Sequence, residues 1–179
     1  MNDKILVTYA SVKGSTTGVA RTIADVLRQE HVDVDVLPIG QVIGPSPYRA
    51  VILGSAIYGG HWLEEAVEFL ETYRSALSRM PVAYFIVCLT MREDTREHRR
   101  KVQDYIAPVL KATPEVRPVD IGAFSGAFDT RQWPLAILLS LKAMGELPPE
   151  GDYRDWEKIA TWARSTHSKL QRKSMAAAV

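Results

Sequence analysis

Hydroxyl and glycine residues are concentrated at residues 11–18, between a predicted strand and a predicted helix, where the chain reads SVKGSTTG. Free backbone N–H groups at a helix N-terminus, together with the helix dipole, attract an anion, and short hydroxyl side chains donate to it without crowding it. Gly14 lets the backbone turn close to such a ligand. The spacing fits neither the G-x-x-x-x-G-K-S/T motif of nucleoside triphosphate sites nor the G-x-G-x-x-G motif of dinucleotide sites. We therefore predict a monophosphate site.

A simple helix cap is the alternative explanation of this turn, with Ser15 or Thr16 satisfying the first N–H groups of the helix. A cap needs only one hydroxyl, whereas the turn offers Ser11, Ser15, Thr16 and Thr17. This surplus favours anion binding.

The elements around the turn predict a parallel sheet. Short apolar or alternating runs predict strands at residues 4–9, 33–37, 50–55, 82–89 and, with several glycines, 115–128. Helical spacing of apolar residues predicts helices at residues 16–30, 63–73, about 102–110 and 155–170. Right-handed crossovers between buried strands place helices on both faces, which predicts a doubly wound α/β fold. Ligands of such folds bind at the carboxyl ends of the strands, here the loops after Tyr9, Gly54 and Cys88.

Composition narrows the class of protein. The 179 residues, 46% hydrophobic and 24% charged, indicate one globular domain. A net charge of +1 gives no field for nucleic acid, so no nucleic-acid partner is expected. We also expect no transmembrane segment and no metal site around His61. Because Cys88 is the only cysteine and the first residues lack the layout of a signal peptide, we expect a cytoplasmic protein.

Four segments resemble known motifs. Residues 11–16 (SVKGST) resemble the S-x-T/G/S-G-N/S-T turn by which flavodoxins bind the phosphate of flavin mononucleotide (FMN), with Lys13 and Ser15 departing from the commonest residues. Residues 54–62 (GSAIYGGHW), 89–90 (LT) and 153–156 (YRDW) resemble segments of the flavodoxin-domain family that includes bacterial menaquinone-dependent protoporphyrinogen oxidases. The resemblance runs from about residue 4 to residue 170.

The resemblance implies a flavodoxin-like FMN-binding domain over residues 1–172. The low-complexity end of the chain predicts a disordered tail at 173–179. The resemblance further implies a five-stranded parallel sheet in the order 2-1-3-4-5, with helices on both faces. It also implies that FMN is the cofactor and that no side chain is needed as a catalytic acid or base. The implied FMN-binding residues are Ser11, Lys13, Gly14, Ser15, Thr16, Thr17, Ser55, Ala56, Ile57, Tyr58, Gly59, Gly60, Thr90, Met91 and Arg92.

A flavin ring is a flat amphipathic plate that prefers a π surface and backbone donors at its edge. Tyr58 is the preferred stacking group, whereas Trp62 is as well explained by packing at the next helix. Five basic residues lie in and after the third loop. They either bind carboxylate groups of a substrate or belong to a solvated helix start, where they pair with neighbouring acidic residues. They are Arg92, Arg96, Arg99, Arg100 and Lys101. Cys88 is expected to be a core residue.

The resemblance implies an oxidoreductase that dehydrogenates protoporphyrinogen IX and passes the electrons to a quinone. The alternatives are a single-electron carrier between protein partners and a binding module that has lost its flavin. Carriers of this family are usually strongly acidic, so the charge of +1 favours the enzyme.

Residues 128–147, the insertion, resemble the long loop of the oxidase family. The insertion contains Trp133 and several leucines. We expect these apolar side chains either to make a peripheral contact with lipid or quinone, or to pack on the sheet edge as a short helix.

Overall fold

The computed structural model describes residues 3–145 and 147–176. Eight strands and five helices alternate along this part of the chain. In chain order they are β1 (Ile5–Ala10), α1 (Ser15–Gln29), β2 (Val34–Pro38), β3 (Ala50–Tyr58), β4 (His61–Trp62), α2 (Glu64–Leu77), β5 (Val82–Val87), α3 (Arg96–Ala112), β6 (Ile121–Phe124), β7 (Ala127–Phe128), α4 (Leu135–Ala143), β8 (Gly151–Asp152) and α5 (Trp156–Ala176).

Five parallel strands form the main sheet in the order β2-β1-β3-β5-β6, and β4 pairs antiparallel with the end of β3. Counting only the parallel strands, this is the predicted order 2-1-3-4-5, so the predicted flavodoxin-like topology is confirmed. The parallel ladders run from Ile5↔Ala50 to Ala10↔Ser55 between β1 and β3, and on to Ala56↔Val87 between β3 and β5.

Side-chain alternation along the strands divides the core between the two faces of the sheet. On β1, Ile5 and Val7 contribute to the cluster beneath α1 and α5, whereas Leu6 and Ala10 contribute to the cluster beneath α2 and α3. All four side chains are at most 1% exposed. Period-two alternation and two buried faces are what a doubly wound sheet requires, so the prediction of helices on both faces is confirmed.

The strand predicted over residues 115–128 is wrong in extent. Its pairing with β5 covers only Ile121–Phe124, after which the chain leaves the sheet at Gly126. Ala127–Phe128 then pairs with Gly151–Asp152 in a separate two-stranded ribbon. This ribbon brings the two ends of the insertion together, which sequence periodicity does not reveal because the pairing is non-local.

The last helix is longer than predicted. Asp155 caps its N-terminus, its carboxylate accepting from the Lys158 N–H at 2.9 Å. The helix continues to Ala176, so residues 173–176 of the predicted disordered tail are helical. Gln, Arg, Lys and Met are strong helix formers, and the Lys173 ammonium donates to the Arg117 carbonyl at 2.9 Å. Residues 177–179 of that tail lie outside the described residues.

Candidate functional site

The loops that follow β1, β3 and β5 meet at one edge because parallel strands in register end together. Two adjoining cavities open at this edge. The smaller cavity has a volume of about 230 Å³ and the larger about 620 Å³. The two share the lining residues Ile57, Tyr58, Leu89, Thr90 and Trp133.

The first turn ends in a glycine cap. Gly14 has φ +83°, a left-handed conformation, and it is the N-cap of α1 with no capping side chain. Its own N–H donates to the Ser11 hydroxyl at 3.1 Å, which braces the turn. Neither Ser15 nor Thr16 occupies the cap position, so the simple-cap alternative is wrong.

The start of α1 is equipped to hold an anion. Within residues 3–145 and 147–176, no acceptor pairs with the N–H groups of Ser15, Thr16 and Thr17. The Thr16 hydroxyl is fully buried and also lacks a hydrogen-bond partner among those residues. Ser15 lines the smaller cavity. Because buried polar groups are rarely left unsatisfied, this arrangement fits a phosphate that accepts several of these hydrogen bonds.

Lys13 connects the turn to the insertion. Its ammonium donates to the Gln132 carbonyl at 2.5 Å and lies 5.5 Å from the Trp133 ring centroid. Lys13 lines the smaller cavity, but its charged group is engaged by the insertion. Lys13 therefore holds the insertion against the first turn, and its ammonium also places a positive charge near that turn.

The second loop is a tight hairpin between β3 and β4. Gly59 and Gly60 have φ of +58° and +83°, the two positive values that a type I′ turn requires. The Ser55 hydroxyl accepts from the Leu63 N–H at 3.0 Å and donates to the Ala56 carbonyl at 2.8 Å. Ser55, one of the predicted FMN-binding residues, is fully buried and holds the loop, whereas Ala56, Ile57, Tyr58 and Gly60 line the smaller cavity.

Tyr58 and Trp62, the two candidate stacking groups, have different positions. Trp62 is 5% exposed and packs edge-on against Tyr84, with ring centroids 5.5 Å apart. The packing explanation of Trp62 is therefore correct. Tyr58 is half exposed, lines both cavities and lies parallel to Trp133 of the insertion.

The third loop, Leu89–Arg92, is a single 3-10 turn. Thr90 lines both cavities, and its hydroxyl is 3.1 Å from that of Tyr105 on α3. Met91 is 6% exposed and packs into the core beneath α2 and α3, so its side chain does not reach either cavity. Arg92 lines the larger cavity.

The predicted site residues leave out several residues that line the smaller cavity, among them Tyr105 and Gly126, and Cys88 was expected only as a core residue. Tyr105 was hidden among the apolar residues of α3, although its place between Val102 and Ile106 puts it on the inward side of the helix. Gly126 lines the cavity from a strand end that was assigned wrongly. Cys88 is buried as predicted but also lines this cavity, and burial raises the pKa of its thiol, so it stays protonated.

The basic residues after the third loop do not act as one cluster. Arg99 and Lys158 of α5 both pair with Asp94, at 2.5 and 2.7 Å, and these hydrogen bonds lower the pKa of Asp94 to about 2. Arg99 is therefore part of a solvated helix start and pairs with a neighbouring acid, which is the second of the two alternatives for the basic residues. Arg92, Arg96, Arg100 and Lys101 are all exposed, and of these four Arg92 and Lys101 line the larger cavity.

The insertion covers the edge from outside. Phe128 and Trp133 pack together, with ring centroids 5.9 Å apart, and both line the larger cavity with Ile137 and Leu141 of α4. No residue of α4 is buried, although seven of its nine residues are Leu, Ile or Ala. The short helix of the second alternative is present, but it covers the edge without burying any of its own residues. Glu146 of the insertion lies outside the described residues.

Two further sequence expectations concern metals and membranes. In the described part of the chain, no group of three or more His, Cys, Asp or Glu side chains is arranged to hold a metal ion. No described helix combines the length and apolarity that a membrane crossing requires.

Comparison with known proteins extends this picture. The chain is 26% identical over 170 residues to a protein of Escherichia coli (strain K12) named protoporphyrinogen IX dehydrogenase (quinone), covering 90% of this chain and 93% of that protein. It is 36% identical over 93 residues to a Leishmania major protein of the same name, covering 50% of this chain and 40% of that one.

Solved structures share the fold. Oxidised flavodoxin 1 from Bacillus cereus superposes with a TM-score of 0.57 at 16% identity, covering 92% of this chain and 97% of that one. A flavo-di-iron protein from Thermotoga maritima superposes with a TM-score of 0.58 at 17% identity, covering 97% of this chain and 36% of that one. The family model described as a flavodoxin domain matches residues 6–137. With that match, and with the fold and the glycine-capped turn, this chain belongs to the flavodoxin-domain family.

Proposed function

We propose that this protein binds FMN at the carboxyl edge of its sheet and acts as a flavin-dependent oxidoreductase. The observation that carries the proposal is the start of α1, where N–H groups and the Thr16 hydroxyl have no hydrogen-bond partner in the described part of the chain and lie beside a cavity lined by Tyr58. The two cavities together fall in the size range of cofactor and substrate sites.

The residues present fit FMN. Residues 14–17 would hold the phosphate, and Tyr58 offers the flat surface that the ring requires. Ala56, Ile57, Gly60 and Thr90 line the smaller cavity with backbone or small polar groups suited to the ring edge. When bound, FMN would supply acceptance and release of electrons, while the protein binds it, orients it and excludes water with Trp133 and Phe128.

For the reaction, we propose dehydrogenation of protoporphyrinogen IX with a quinone as electron acceptor. Each step removes two hydrogens from the porphyrinogen, as two electrons and two protons, and reduces one quinone to a quinol. The similarity to the Escherichia coli dehydrogenase over most of both chains supports this substrate. The larger cavity supports it too, because it adjoins the flavin position and offers room for an organic substrate.

A single-electron carrier between protein partners is the second candidate, favoured by the fold shared with the Bacillus cereus flavodoxin. A carrier does not need a substrate cavity beside its flavin, and it gains from a strong field that steers it to its partner. The 620 Å³ cavity and the net charge of +1 favour the enzyme.

We also propose that the protein works in the cytoplasm and contacts a membrane peripherally through the insertion. Leu135 and Leu139 of α4 are 70% and 57% exposed, and the exposed Lys142 follows three residues after Leu139 in the same helix. Exposed apolar side chains on a helix that also carries a cation are suited to the headgroup region of an anionic bilayer. Quinones dissolve in the bilayer, so such a contact would bring the electron acceptor within reach.

The proposal is tested on the purified protein. We expect it to be yellow, to release FMN rather than FAD on denaturation, and to turn over protoporphyrinogen IX anaerobically only when a quinone is added. Flavin-loaded protein that exchanges electrons with redox proteins but never oxidises the porphyrinogen would identify a carrier. Colourless protein that ignores added FMN would refute the flavin site itself.

A further inference from the structure

The larger cavity has two unlike sides. Phe128, Trp133, Ile137 and Leu141 form an apolar wall contributed by the insertion. The opposite side, from the third loop and the start of α3, presents Arg92, Glu93, His98 and Lys101. A cavity of this kind suits a ligand with a broad apolar body and charged groups at its edge.

Charge pairing decides which basic residues are available to a ligand. Arg99 is held by Asp94, so its charge is compensated. Arg92 and Lys101 have no carboxylate within ion-pair distance among residues 3–145 and 147–176. The Arg92 guanidinium lies 5.7 Å from the Tyr153 ring centroid, on the side where Arg92 also lines a neighbouring cavity with Asp94, and no side chain of the described residues accepts a hydrogen bond from it.

His98 and Glu93 face the same space. His98 is fixed by its Nδ1 atom, 2.7 Å from the Glu93 carbonyl oxygen, so its ring is committed to the loop. The Glu93 carboxylate is the opposing charge on this side of the cavity. Two cations against one carboxylate leave this side positive.

We propose that the larger cavity is the substrate site and that Arg92 and Lys101 bind carboxylate groups of an apolar ring compound whose body lies against the insertion wall. Arginine pairs a carboxylate with two parallel hydrogen bonds, and lysine acts as a point charge. These two residues therefore determine specificity for the acid form of the substrate. The assignment rests on the proposed function, in which that compound is a porphyrinogen.

The test compares an acid with its neutral ester. Protoporphyrin IX and its dimethyl ester share the ring and differ in the carboxylates, so binding of each to the purified flavin-loaded protein separates charge recognition from apolar packing. We expect the double variant R92Q/K101Q to weaken binding of the acid at least tenfold, about 1.4 kcal/mol, and to change binding of the ester by less than threefold. R100Q, which removes an exposed charge from the same segment, should leave both unchanged.

A variant that should tighten binding distinguishes charge recognition from a general loss of structure. E93Q removes the opposing carboxylate, so it should tighten binding of the acid a few-fold and leave binding of the ester unchanged. Equal losses for acid and ester in R92Q/K101Q, no loss for either, or no binding of the acid to the unaltered protein would overturn the assignment. FMN titration of the same samples keeps the proposed function separate, because FMN can bind normally whichever way the porphyrin result falls.

Discussion

Tyr58 and Trp133 lie face to face, with ring centroids 5.8 Å apart and planes inclined by only 8°. Tyr58 ends β3, whereas Trp133 belongs to the insertion, so the contact joins the sheet edge to the segment that covers it. Both rings line both cavities. The pair therefore marks the boundary between the proposed flavin position and the proposed substrate site.

Removing the Tyr58 ring should weaken FMN binding. Y58A deletes the flat surface, and a stacked aromatic contact contributes about 1 kcal/mol, so we expect the Kd of FMN to rise roughly fivefold. Y58F keeps the ring and should change the Kd less than twofold. Fluorescence titration with FMN measures both. Equal affinities for the two variants would argue against Tyr58 as a stacking group.

Charge at the first turn should matter more than side-chain bulk. Asp and Asn both tolerate the left-handed conformation of Gly14, and an added Cβ there meets no atom within 4 Å. G14D and G14N therefore differ mainly in one negative charge. We expect G14D to bind FMN at least tenfold more weakly than G14N, about 1.4 kcal/mol, because its carboxylate repels the phosphate. Similar Kd values would place the phosphate elsewhere.

Asp94 should stabilise the folded protein only above acidic pH. Its pKa is lowered to about 2 by hydrogen bonds from Arg99 and Lys158, so the stabilisation is complete above the ordinary pKa near 4 and is lost as pH falls from about 4 to 2. Because the group is partly exposed, D94N should lower the free energy of unfolding at pH 7 by only about 0.5–1 kcal/mol.

Urea unfolding at pH 7, 4 and 3 measures this difference. The difference in the free energy of unfolding between the unaltered protein and D94N should be largest at pH 7 and should shrink as pH falls below 4. D104N removes an exposed carboxylate of α3 and serves as the control. A gap that stays constant from pH 7 to pH 3 would contradict the ionic explanation.

The exposed leucines of α4 should drive vesicle binding. We expect the protein to sediment with vesicles containing phosphatidylglycerol, and L135E/L139E to lower that affinity at least tenfold, because charged side chains no longer enter the apolar region. Ile43 is 98% exposed on a different loop, so I43E is the matched control and should bind normally. Equal losses in the two variants, or no binding by the unaltered protein, would exclude this contact.

The fold followed from local patterns because the strands and the main helices carry clear apolar periodicity. The runs at β1, β3 and β5 are buried on both faces, and their order along the chain already implies crossovers. The place of the turn at residues 11–17, between β1 and α1, also followed from local patterns, since both flanking elements were predicted. Gly14 as the cap could not be foreseen, because Ser15 and Thr16 are better capping residues by type.

The features of the site that could not be predicted from the sequence depend on contacts between residues far apart in the chain. Lys13 reaches Gln132, Tyr58 reaches Trp133, and Thr90 reaches Tyr105, and none of these pairs follows from helical or strand spacing. Asp94 pairs with Arg99, whereas Arg92 has no ion-pair partner among the described residues, and this division likewise depends on where Asp94 lies. Motifs predict candidate site residues, but which neighbours those residues contact is a property of the folded chain.

The start of α1 is the proposed binding site of the FMN phosphate. Calorimetric titration of flavin-free protein with FMN and with riboflavin, which lacks only the phosphate, measures what this site contributes to binding. We expect FMN to bind about a hundredfold more tightly, roughly 2.7 kcal/mol, because charge-assisted hydrogen bonds to residues 14–17 are lost with riboflavin. Equal affinities for the two flavins, or no binding of either, would rule out a phosphate site at this turn.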